Sequence, residues 1–294
     1  MSNADNYQRI TDTILSLVEK GGLLPWQKPW KASDVARSMS TGKNYRGINN
    51  WILTATADAF GWSPWFGTYK QIEALGGQVR KGEKSSLAIL WKPMERTDAD
   101  GKVDRFMMLR TFNVFSASQA DGLPQKFYDK PAEGAVEVHE GAESVFGGYV
   151  DRESISVSYG GDRAFYTPAL DSIRLPKPES FESSDHFYAT AFHEAAHSTG
   201  AAGRLARPGV TDTDSFGSHQ YSREELVAEF TSALVLGILG LDKPNVVENQ
   251  AAYLVSWKSR LVEDPQALVW AAGRAEKAAD LIFGVVAETP AEAV

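Results

Sequence analysis

One stretch constrains this chain more than any other: Phe187-Tyr-Ala-Thr-Ala-Phe-His-Glu-Ala-Ala-His-Ser-Thr-Gly200. It holds no proline, its spacers are small or apolar, and it closes on a glycine in the C-cap role, so it reads as one helix. At 3.6 residues per turn His193 and His197 project from one face. Two neutral imidazoles placed that way take adjacent corners of a tetrahedral zinc ion. Glu194 does not easily reach the same ion, but it reaches a water on it, which is the geometry of a general base in metal-assisted hydrolysis. A histidine pair four apart also occurs on purely structural helices. Against that stand the alanine spacers 195 and 196, the apolar flanks Ala191 and Phe192, and a second carboxylate-bearing helix downstream.

That helix begins at Ser222 and runs Arg-Glu-Glu-Leu-Val-Ala-Glu-Phe. Ser222 with Glu225 three residues on forms a capping box, which gives Glu225 a structural role already. Glu229 has none. It shares a face with Leu226, Phe230 and Ala233, where an ionised carboxylate needs a partner such as a metal. Glu229 is therefore the expected third ligand, with Glu225 the alternative and His219 a further one. The expected metal is zinc, although two histidines and a carboxylate also suit manganese or another divalent ion. Tyr166, Tyr221 and His219 are all candidates for stabilising an oxyanion. With no cysteine in the chain, any metal must be held by His, Asp or Glu.

Charge divides the chain into two parts with different work. Residues 1–130 carry 18 Lys/Arg against 13 Asp/Glu, whereas 131–294 carry 12 against 25. The polar run Leu123 to Gly134, with two prolines, lies where the balance turns over. The expected division is an N-terminal α+β domain over 1–125, a linker over 126–138 and a metal-binding domain over 139–294. Six of the eight tryptophans precede residue 92, in the most basic stretch. Aromatic faces stack unpaired bases while Lys and Arg follow the phosphates, a combination suited to single strands. The candidates are Trp26, Lys28, Trp30, Lys43, Tyr45, Arg46, Trp65, Arg80, Lys81 and Lys84. Trp51 and Trp91, inside periodic elements, are expected in the core.

Elements follow from periodicity and turn chemistry. Helices are expected over 6–18, 49–60 and 140–149, and strands over 86–91, 107–115, 155–159, 164–167 and 172–175. Gly160-Gly161-Asp162 reads as a hairpin turn between the strands at 155–159 and 164–167. Asp171 to Leu175 is the candidate edge strand for pairing with an extended peptide. The first apolar run, Ile14 to Leu24, is broken by Glu19, Lys20 and two glycines, so it is neither a signal segment nor a membrane span. No membrane partner is expected, and the expected location is the bacterial cytoplasm.

Taken in order, Pro-Trp-Gln-Lys-Pro-Trp (25–30), Tyr-Arg-Gly-Ile-Asn (45–49), Gly-Gly-Gln-Val-Arg-Lys-Gly-Glu-Lys (76–84), the metal helix, Arg-Leu-Ala-Arg (204–207) and Glu-Glu-Leu-Val-Ala-Glu (224–229) resemble the ArdC-type antirestriction proteins. The resemblance implies an N-terminal single-stranded-DNA-binding domain and a C-terminal zincin-like metallopeptidase domain. It also implies carriage by conjugative plasmids or other mobile elements, and protection of incoming DNA in the recipient cell. The expected partners are single-stranded DNA and a protein substrate not yet identified. The alternative is a non-proteolytic DNA-coating or decoy protein whose metal site is structural.

Overall fold

A computed structural model describes residues 3–21, 35–97, 103–129, 138–212, 219–241 and 250–285. They form two compact units, the first taking in the described residues up to 129 together with 257–266, the second 138–256 and 267–285. The units therefore do not follow chain order cleanly. Within the first, the Thr11 hydroxyl donates to the Pro265 carbonyl at 3.2 Å. Both units mix helix and sheet, the α+β class expected. Trp26, Lys28 and Trp30 lie outside the described residues.

The first unit opens with α1 (Asn3–Gly21), which buries Ile10 and Ile14. After β1 (Arg37–Ser38) comes α2 (Ile48–Phe60), fully burying Ile52 and Leu53 with Trp51 beside them. Gly61 ends α2 in the left-handed conformation, φ 64°, and its N–H turns back to the last carbonyls. Then follow β2 (Trp65–Gly67), α3 (Tyr69–Ala74), β3 (Gln78–Val79), β4 (Ser86–Thr97), β5 (Val103–Ser116) and β6 (Ala120–Asp121). The main sheet has the order β1-β2-β5-β4, and β3 pairs with β6. β4 and β5 form one antiparallel ribbon from Ser86↔Val114 to Thr97↔Val103, longer than the alternating runs in the sequence indicate.

Asparagine amides close both sides of this ribbon. Asn49 accepts from the Ile89 N–H at 2.7 Å and donates to the Ile89 carbonyl at 2.8 Å. On the other side Asn6 donates to the Leu109 carbonyl at 2.9 Å, and Asn3 accepts from the Leu109 N–H at 3.2 Å. Trp51 is core as expected, but Trp91 is not. Along one face of β4 exposure rises from 6% at Ile89 to 39% at Trp91, whose ring tilts against Tyr7.

The second unit runs α4 (Val138–Arg152), β7 (Ser156–Tyr159), β8 (Phe165–Thr167), β9 (Ser172–Leu175), α5 (Ser184–Ser198), α6 (Pro208–Thr211) and α7 (His219–Leu239). α8 (Gln250–Glu263) leads into α9 (Ala267–Phe283), which packs on α7. Its core joins Phe146, Tyr149, Ile173, Leu175, Phe192 and Leu236. The sheet order is β7-β9-β8, with β7 parallel and β8 antiparallel to β9. The expected hairpin is thus replaced by a crossover. Gly160 and Gly161, both at positive φ, lie beneath Arg174, whose Nε donates to the Gly160 carbonyl at 3.2 Å. The expected edge strand at 171–175 is the middle strand, because β7 and β8 flank it and hold the two edges. Among the described residues no helix is long and apolar enough to cross a membrane.

Candidate metal centre

α5 starts a turn earlier than the apolar pattern suggests because the Ser183 hydroxyl caps the His186 N–H. It ends at Ser198 with Thr199 still right-handed, so Gly200 is not a left-handed C-cap. Gly200 is needed for room instead. A Cβ there would lie 2.5 Å from Val210 Cγ2 and 3.0 Å from Arg207 Nη2, so only glycine lets the following loop fold back over the helix end.

His193 and His197 turn their Nε2 atoms to within 3.2 Å of each other. Glu225 completes the set, its carboxylate oxygens 3.6 Å from each Nε2. Two nitrogens about 2.0–2.1 Å from a zinc at the tetrahedral angle are about 3.3 Å apart, so these three side chains fit one ion with a fourth corner left for water. The ligand atoms lie within 4.8 Å of one another, and among the described residues they are the one such group.

The third member is therefore Glu225 in place of Glu229. α7 begins at His219, which puts Ser222 inside the helix and removes the capping box that seemed to occupy Glu225. Glu229, one turn further along the same helix face, is about 6 Å away along the axis. The side chains of His219 and Tyr221 lie outside the described residues.

Glu194 is 8% exposed and lines the same cavity, of about 1060 Å³, together with Phe165, Tyr166, Val210 and the three metal-set residues. The β8 edge forms one wall. The Tyr166 hydroxyl donates to Asp171 at 2.8 Å and accepts from Arg204 at 3.3 Å; burial, then Asp171, pushes its pKa up to about 12. Its proton is committed to Asp171, so the Tyr166 hydroxyl is not free to donate to an oxyanion.

Sequence reasoning passed over a buried set behind the metal group. Arg207 and Glu224 are each 2% exposed. Arg207 Nε and Nη2 donate to the two Glu224 oxygens at 2.8 and 2.6 Å, Nη1 to Thr199 Oγ1 at 2.6 Å, and Nη2 also to the Ala196 carbonyl at 2.7 Å. Glu224 Oε1 lies 3.3 Å from His197 Nδ1. Burial works against ionisation of Glu224, but hydrogen bonds from Arg207 and His197 outweigh it and hold its pKa below the usual carboxylate value. Burial likewise disfavours charge on His197, yet Glu224 and the field of Glu225 raise its pKa above the ordinary histidine value. The available signal was Arg-Leu-Ala-Arg itself, whose polar residues had no assigned partner.

A family model described as an N-terminal domain of anti-restriction factor ArdC matches residues 4–115, and a zincin-like metallopeptidase model matches 146–274. The crystal structure of antirestriction protein ArdC from plasmid R388, metal-free, superposes with TM-score 0.73 at 35% identity over 94% of this chain and 96% of that one. Its Mn(II)-bound form gives 0.74 at 35% identity over 96% and 98%. The chain belongs to the ArdC antirestriction family. Among other relatives of this chain, protein y4eC of Sinorhizobium fredii is 33% identical over 94% of this chain and 91% of its own length. DNA primase TraC of Escherichia coli is 37% identical over 94% of this chain, which spans only 27% of that protein.

Within the ArdC N-terminal domain the expected DNA-contact residues separate into two groups. Lys43, Arg46, Lys81 and Lys84 are exposed. Tyr45 is drawn into the packing around Leu53, Phe66 and Val114, and burial pushes its hydroxyl pKa up to about 12. Trp65 is half-buried, edge-on to Phe127 at 5.3 Å with the Arg37 guanidinium over it. Arg80 is paired with Glu83 at 2.9 Å and Asp121 at 3.2 Å, which makes it a brace across the β3–β6 turns.

Proposed function

We propose that this ArdC-family protein is a divalent-metal-dependent peptidase joined to a single-stranded-DNA-binding unit, and that it protects incoming DNA from restriction in a recipient cell. The observation that carries the enzymatic half is the convergence of His193, His197 and Glu225 beside Glu194, against the β8 edge. His193, His197 and Glu225 would hold zinc or manganese, which when bound polarises a carbonyl and acidifies water. The Mn(II) form of the R388 relative supports a divalent ion. Glu194, largely shielded from solvent, accepts the proton of the attacking water and passes it to the leaving amine. The β8 backbone offers its free edge to an extended peptide. The DNA-binding half is supported by the excess of basic residues before position 130 and by the exposed Lys43, Arg46, Lys81 and Lys84.

Glu194→Gln keeps the metal set intact and removes the base. The expected outcome is metal and single-strand binding at wild-type levels, with peptide cleavage lowered about 10²–10⁴-fold and protection lost when unmodified DNA enters a restricting host. Full protection by this variant would instead favour a coating protein that works without proteolysis.

A further inference from the structure

Arg207 does more than its burial requires. A buried guanidinium needs one counter-charge, and Glu224 supplies it in the two-pronged geometry that planar forks favour. The same carboxylate then points its Oε1 at His197 Nδ1, while His197 Nε2 faces His193 Nε2. With both Glu224 oxygens fixed by Arg207, the carboxylate cannot swing away from the imidazole. It accepts a hydrogen bond from Nδ1–H, which keeps the proton on Nδ1 and leaves the lone pair on Nε2, on the side of the metal set. The remaining donors of Arg207 hold the Ala196 carbonyl and Thr199, at the end of the helix that carries both histidines.

We propose that Arg207 is a positioning residue for metal capture: through Glu224 it locks His197 in the ring orientation and tautomer that present Nε2 to the ion. The proposal rests on the metal-site reading above and adds to it the device that sets one ligand before the ion arrives. A lysine would keep the charge but lose the fork, so the property required is the planar pair of donors.

The test uses the full chain and four variants: Glu224→Gln, Arg207→Lys, Arg207→Met and the double Arg207→Met/Glu224→Gln. Zinc affinity is measured by chelator competition, the site by the visible absorption of the Co(II) form, and the fold by urea unfolding of the metal-free proteins. Glu224→Gln and Arg207→Lys are expected to weaken zinc about 10–100-fold and to shift the Co(II) bands, as removal of an outer partner does. Arg207→Met leaves a buried carboxylate unpaired and is expected to unfold most easily. The double variant removes both charges and regains unfolding resistance, yet zinc binding stays weak and the Co(II) bands stay shifted.

If the double variant recovers zinc affinity and spectrum together with its fold, the pair is only a brace and the proposal is overturned. Unchanged affinity in Arg207→Lys, which retains the charge and does not depend on the double variant folding, overturns it equally. If the wild-type chain takes up neither zinc nor Co(II), the metal reading itself falls and the proposal goes with it.

Discussion

The helix carrying His193 and His197 and the segment from Arg37 to Arg46 both bear clusters of chemically useful side chains, but the backbone treats them differently. On α5 the spacing of four leaves no choice: the two imidazoles face one way whatever packs around them. In the 37–46 segment the chain bends, and each side chain goes where packing sends it. Tyr45 turns inward to the core while its neighbours Lys43 and Arg46 stay in solvent. A periodic element transmits function from sequence to space directly. An irregular one transmits it only after the tertiary contacts have been made.

The largest test of that contrast is at the third ligand. Glu225→Gln is expected to lower affinity for zinc or Mn(II) at least 100-fold by calorimetric titration, while Glu229→Gln changes it less than about threefold. The reverse result would put the site one turn further along α7.

Next in size is Trp65→Ala. If the ring is packing, the variant loses about 2–3 kcal/mol of stability in urea while affinity for a single-stranded oligonucleotide, measured on folded protein, changes little. A large fall in affinity with an unchanged unfolding midpoint would restore Trp65 as a stacking platform.

The smallest effect is electrostatic. Replacing Lys43 and Arg46 together by Gln is expected to flatten the dependence of log K on log salt by about 1.4, or about 0.7 for each single-strand phosphate no longer neutralised. Arg80→Gln is expected to leave the slope unchanged, since Glu83 and Asp121 already balance its charge. An equal change in both would mean that the ion pair opens on DNA.

What could be read in advance follows the same division. The shared facing of His193 and His197, the α+β class and the burial of Trp51 follow from local period, and the structure has them. Glu225 stood second to Glu229 because the start of α7 was placed three residues late, and helix ends depend on flanking contacts more than on pattern. The β7-β9-β8 order was not legible because three short strands with turn residues between them permit several pairings. Only the helices packed on the sheet select one. Arg207 and Glu224 are seventeen residues apart and meet only in the fold.

The asparagines along the β4–β5 ribbon bear on how this protein behaves in a crowded cell. A two-stranded ribbon exposes two rows of backbone groups, each a template on which a neighbouring molecule can grow a shared sheet. Asn49 on one side and Asn3 with Asn6 on the other occupy those rows at Ile89 and Leu109, each amide standing where a further strand would bond. At these two positions the ribbon therefore offers no free backbone pair to a further strand.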